Sequence, residues 1–73
     1  MTRQFTAIIE REDDGYVALC PELDIASQGS TIEEARVNLR EALELFLETA
    51  SAEEIEERLR EEVYVTRLEV AVG

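Results

Sequence analysis

Apolar residues recur along this chain with two different periods. Over Arg3 to Arg11 (RQFTAIIER) they alternate, with Phe5, Ala7 and Ile9 on one side and Thr6, Ile8 and Glu10 on the other, which predicts a strand. Glu12-Asp13-Asp14-Gly15 then reads as a hairpin turn. With Asp13, Asp14 and Gly15 as a three-residue loop, Gly15 takes the positive φ that other residues resist, and Glu12 faces Tyr16. In that register Val17 and Leu19 join Phe5, Ala7 and Ile9 on the side facing the helices, while Tyr16, Ala18 and Cys20 share the opposite face with Ile8. Pro21 ends the second strand because it has no N–H to give to a ladder, and DIASQG, residues 24–29, predicts a short third strand.

The period then changes. Ser30 or Thr31 stands as an N-cap with Glu33 or Glu34 three residues on, the signature of a capping box. Behind it Ile32, Ala35, Leu39, Ala42, Leu43, Phe46, Leu47 and Ala50 follow the three-and-four spacing of one apolar stripe, predicting a helix to about Thr49. Arg40 and Glu44 are spaced to pair on its outer side. Ser51 with Glu54 caps a second helix through about Glu62, with Ile55 and Leu59 as a thin apolar edge and Glu54–Arg58 and Glu56–Arg60 as surface pairs. Residues 63–72, VYVTRLEVAV, are β-branched and alternating, which predicts a last strand. The order β-β-β-α-α-β describes one α+β domain over residues 1–73, a two-layer fold with a mostly antiparallel four-stranded sheet and both helices on one face.

One stretch does not fit a sheet with a wet side. In GYVALCP nearly every position between Gly15 and Pro21 is apolar, so both faces of the second strand need cover. The side away from the helices is expected to carry Ile8, Tyr16, Ala18 and Cys20, and an apolar patch of that kind marks a self-association surface. The second helix has too little apolar area to cover it. Size supports the same conclusion, since 73 residues bury a small core and the usual staples are missing. A single cysteine cannot form an internal disulfide, and the chain has no histidine to complete a zinc site.

Charge narrows the function. Eighteen Asp and Glu against seven basic residues, all arginine, give a net charge of -11. Such a chain is not expected to grip nucleic acid directly, and a basic partner suits it better, although the same balance would also keep a small domain soluble. The N-terminus lacks the apolar core of a signal peptide and no apolar run could span a membrane, so the expected location is cytoplasmic, with no membrane contact. Chemistry is sparse. Cys20 has only Glu22 and Asp24 as charged sequence neighbours, which raise a thiol's pKa, so it reads as a small apolar filler. Asp13, Asp14, Glu22 and Asp24 could in principle hold a metal pair for nuclease chemistry, but none sits inward on a central strand. No glycine-rich phosphate loop is present, and no cofactor is expected.

An ordered series of short motifs adds a family resemblance: Gly15-Tyr16-Val17-Ala18, Pro21-Glu22-Leu23, Ser27-Gln28-Gly29, then Thr31, Glu34-Ala35 and Glu41-Ala42-Leu43. The series resembles the antitoxin domain of the HicB family, the inhibitory half of HicA–HicB toxin–antitoxin pairs, over about residues 3–50 and again in the last strand. The resemblance implies a degenerate ribonuclease-H-like sheet without nuclease activity and a homo-oligomer, dimer or tetramer. It also implies binding to a small basic toxin that cleaves messenger RNA with a histidine. Pro21, Glu22 and Asp24 are the expected partner contacts. The DNA-binding domain that many members append is expected to be missing here, leaving no operator binding by the chain alone. The alternatives are a stand-alone self-associating scaffold and, more remotely, a metal-dependent nuclease.

Overall fold

The computed structural model describes residues 2–73. Three strands, β1 (Ile8–Glu12), β2 (Gly15–Cys20) and β3 (Ile25–Gly29), form one antiparallel sheet in the order β1-β2-β3. Two helices follow, α1 (Ile32–Thr49) and α2 (Ala52–Arg58). Among the described residues the sheet has three strands where the alternation predicts four, because residues 63–72 pair with nothing. The α+β class and the helix order match the expectation.

The caps form as the local sequence dictates. The Thr31 side chain accepts from the Glu34 N–H at 3.0 Å, and the Glu34 carboxylate accepts from the Ser30 N–H at 2.9 Å, so two donors at the start of α1 are satisfied. Ser51 and Glu54 close a full capping box on α2. Arg40 and Glu44 approach to 3.9 Å on the exposed side of α1. The second helix, however, ends at Arg58 instead of continuing to about Glu62. Arg58 donates to the Leu23 and Asp24 carbonyls at 2.8 and 2.9 Å and lies over the Phe46 ring, 5.1 Å from its centre. Leu59 packs against the core and the Arg60 N–H reaches the Glu22 carbonyl at 2.8 Å. These contacts draw the chain onto the β2–β3 turn, and Arg58 spends its donors there, not on a helical ion pair.

The sheet register also differs from the expectation. Glu12 pairs with Gly15 across a two-residue loop, Asp13-Asp14, and the positive φ of 52° belongs to Asp13. Gly15 is a strand residue. A Cβ on it would stand 2.8 Å from the Gly29 carbonyl oxygen, so the glycine is required by the close approach of β3, not by the turn. Ile8 therefore lies opposite Leu19, and Ile9 opposite Ala18. The faces exchange accordingly: Tyr16, Ala18 and Cys20 point toward the helices with Phe5 and Ile9, while Ile8, Val17 and Leu19 point away.

Packing explains why this register wins. A Cβ on Gly29 would meet the Ala35 nitrogen at 2.5 Å and the Glu34 carbonyl carbon at 2.8 Å, so the first turn of α1 rests directly on the end of β3. A helix this close leaves room for small side chains only, and Ala18, Cys20 and Ala35 fill the space, all fully buried. Farther along, Leu23 and Leu39 complete the core, with Leu43 and Phe46 packed against it. Val17 or Leu19 in place of Ala18 and Cys20 would overfill the gap. Replacing Gly29 with alanine should therefore lower stability by about 1–3 kcal/mol through overpacking. Urea unfolding followed by circular dichroism checks this: the midpoint should fall with the slope unchanged.

Candidate functional site

Two regions collect the predicted site residues: the β2–β3 turn and the sheet face turned away from the helices. The turn, Pro21–Asp24, is held from three sides. Pro21 stops the β2 ladder, so Thr6 has no strand opposite it, and its backbone N–H donates instead to the Glu22 carboxylate at 3.0 and 3.2 Å. The Thr6 hydroxyl adds a bond of 2.6 Å to Glu22 Oε2, and the Cys20 thiol one of 3.4 Å to Oε1. Leu23 is fully buried, and Asp24 takes the left-handed conformation at φ 54° with its side chain exposed. Glu22 is thus a clamp that ties the segment before β1 to the end of β2. Asp24 is the residue of this turn whose carboxylate faces solvent.

Electrostatics follow from these contacts. Burial alone would raise the pKa of Glu22, but the hydrogen bonds from Thr6 outweigh it, and the carboxyl is held below its ordinary value of 4.5. Burial pushes the Cys20 thiol up from 9.0, and Glu22 beside it acts in the same direction. The thiol is protonated at neutral pH and closed off from solvent, which suits a filler and not a nucleophile. Asp13 and Asp14 are exposed at the hairpin tip, and among the described residues no group of three or more acidic, Cys or His side chains converges as a metal site.

The sheet face away from the helices carries Ile8, Val17, Leu19 and Ala26, with Glu10, Glu12 and Gln28 around them. None of these is buried in a single copy, and Ile8, Val17 and Leu19 are each partly exposed. Of the four residues expected on an association face, only Ile8 is there. Tyr16, Ala18 and Cys20 lie beneath α1 because the register is set by the Gly29–Ala35 approach. A partial signal was size at the centre of β2, where the small Ala18 and Cys20 alternate with the branched Val17 and Leu19, although Tyr16 at the strand's start does not follow it.

Two outcomes follow. Ala18→Asp should unfold the domain, since it buries an unpaired charge under α1, whereas Leu19→Asp should leave the far-ultraviolet circular dichroism spectrum intact. Glu22→Gln should cost about 1–2 kcal/mol through weakened bonds to Thr6. A carboxylate held below its unfolded pKa adds stability at neutral pH and loses that contribution as pH falls through the lowered folded value. The stability gap between wild type and Glu22→Gln should therefore be full above the ordinary carboxylate range and close in acid, as read from urea midpoints across a pH series.

Comparison with known proteins places the chain. A UPF0150 protein of Synechocystis is 50% identical over 50 residues, 66% of this chain and 69% of its own. A second from the same organism is 49% identical over 51 residues, 67% of this chain and 65% of its own. A UPF0150 protein of Helicobacter pylori is 36% identical over 66 residues, 89% of this chain and 92% of its own. No family profile and no solved structure matches the chain. At 36% identity over 89% of this chain and 92% of the Helicobacter pylori protein, the chain belongs to the UPF0150 family.

Proposed function

We propose that this domain is an inhibitory binding module of the antitoxin type, which neutralises a small basic messenger-RNA-cleaving toxin by covering its RNA-binding surface. The observation that carries the reading is charge: a net -11 on 73 residues, with no charged side chain buried among the described residues, so the negative potential faces outward. A ribonuclease must offer positive charge to RNA. An acidic partner is steered to that same surface and excludes substrate both sterically and electrostatically. No catalysis by this chain is involved and no cofactor is used. The three antiparallel strands followed by α1 are read as the start of a ribonuclease-H-like sheet with residues 63–72 as its remaining strand. No helix of the described residues is long and apolar enough to cross a membrane.

At the Pro21–Asp24 turn the roles divide. Asp24, exposed on a turn anchored by Leu23, Glu22 and Arg58, is the side chain positioned to meet a toxin arginine or lysine, with Pro21 beside it. Glu22 holds the turn in place. A second reading, a self-associating scaffold with no toxin, is favoured by the uncovered Ile8, Val17, Leu19 and Ala26 face.

The test is a pull-down from the source cells, followed by calorimetric titration with any small, basic, histidine-containing ribonuclease it recovers, at two salt concentrations. Stoichiometric binding that weakens with salt and blocks cleavage of messenger RNA supports the antitoxin reading, and absence of binding rejects it. Asp24→Asn, which keeps a residue tolerant of the left-handed conformation, should weaken the complex roughly three- to tenfold and flatten its salt dependence.

A further inference from the structure

We infer that residues 63–72 form a strand which one copy of this chain lends to a second, pairing along the free edge of the partner's β1 and covering the apolar groove beside it.

The tail has the pattern of a strand with one apolar face. Tyr64, Thr66, Leu68, Val70 and Val72 alternate with Val63, Val65, Arg67, Glu69 and Ala71. In a single copy that face is bare: Tyr64 and Leu68 are each 84% exposed, and Val72 is 99% exposed. The tail also leaves the body. The radius of gyration is 14.2 Å, against roughly 11 Å for a compact domain of this length, and the long axis reaches 48 Å against 28 and 19 Å for the others. Eight of these ten residues are β-branched or apolar, and such a segment projecting into water is not a stable end state.

A matching receptor is present on the same molecule. Among the described residues β1 has a strand on one side only, so its outer N–H and C=O groups are open to a further strand. The first helix packs mainly on β3 and barely on β1. Beneath the uncovered edge a groove therefore runs between the segment before β1 and the helices, lined by Phe5, Leu39, Leu43, Leu47, Ile55 and Leu59. The opposite edge is less suitable, since α1 lies over β3 and Asn38 already donates to the Gln28 carbonyl at 2.8 Å.

Geometry favours exchange between copies. The Arg60–Glu22 bond pins the chain next to Thr6, just before β1, and the tail beyond it stays exposed and lines no part of its own groove. A two-fold pair in which each tail occupies the other's groove fills both receptors without altering that exit, and the interface closes on itself so that assembly stops at two. It also supplies the apolar burial that a single copy lacks, with only five fully or nearly fully buried residues in its core among the described residues. The strand supplies backbone hydrogen bonds along β1, and its alternate side chains fill the groove. This arrangement needs no toxin, so its failure would leave the binding experiment above untouched.

The experiment compares the full-length wild type with the full-length double variant Leu68→Asp/Val70→Asp by light scattering after size-exclusion chromatography, with hydrogen exchange read by mass spectrometry. The substituted side chains are exposed in a single copy, so the body should keep its circular dichroism spectrum. Wild type should run at twice the chain mass, with amides of residues 64–72 and of β1 both protected. The variant should run at the single-chain mass, and both segments should lose protection together, at least tenfold. Three results would overturn the inference: a wild type of single-chain mass at tens of micromolar, protected tail amides in a single-chain species, or a variant that remains a dimer while its tail exchanges freely.

Discussion

The contact on which the rest of this structure depends is the one between the end of β3 and the first turn of α1. Gly29 has no side chain, and that absence lets the backbone of Glu34 and Ala35 rest on it at distances no Cβ could share. Once the helix is that close, the centre of the layer beneath it is filled by the small residues Ala18, Cys20 and Ala35, which have no exposed surface. Val17 and Leu19 face the other way, while Tyr16, at the end of β2 beside Gly29, stays on the helix side and packs only partly buried against the core. The uncovered apolar face of Ile8, Val17 and Leu19 is therefore a consequence of tight packing on the helix side.

The family motifs acquire a physical account in the same terms. Gly15 stands where β3 passes within reach of an added side chain, and Gly29 where α1 does. Pro21 ends the β2 ladder. Glu22 then takes over the hydrogen bonding of Thr6 that a longer strand would have satisfied, and Leu23 seals the core behind it. Arg58 returns from α2 to the same turn and binds its carbonyls. The Pro21-Glu22-Leu23 series is first a joint that gathers the start of β1, the end of β2 and the exit of α2. In the proposed function, the contact of Asp24 with a basic partner rests on that joint.

Helix signals were the most legible part of the sequence. The stripe through Ala35, Leu39, Leu43 and Phe46, the Thr31 and Ser51 caps and the end near Thr49 follow from neighbours within one turn, where local chemistry decides, whereas Ile32 and Leu47 of the same predicted stripe are exposed and α2 stops short of Glu62. The register of β1 on β2 was not legible from the same kind of reasoning. Gly15 after two aspartates has the form of a turn glycine, and the long-range approach that requires it is visible only once β3 is in place. The shift of one residue moved Tyr16, Ala18 and Cys20 from the outer face to the core side. The role of Glu22 was hidden for a related reason, since its partner Thr6 lies sixteen residues away. The strand character of residues 63–72 was readable from alternation, whereas its lack of a partner within the chain was not.

The most direct measurement of this account is a set of methyl nuclear Overhauser contacts in the isotopically labelled protein. The account predicts contacts from the Ala18 methyl to Ala35 and Leu39, and from the Leu19 methyls to Ile8 and Ala26, with none from Leu19 to Leu39. Contacts between Leu19 or Val17 and the buried face of α1, with Ala18 turned to the other side, would contradict it.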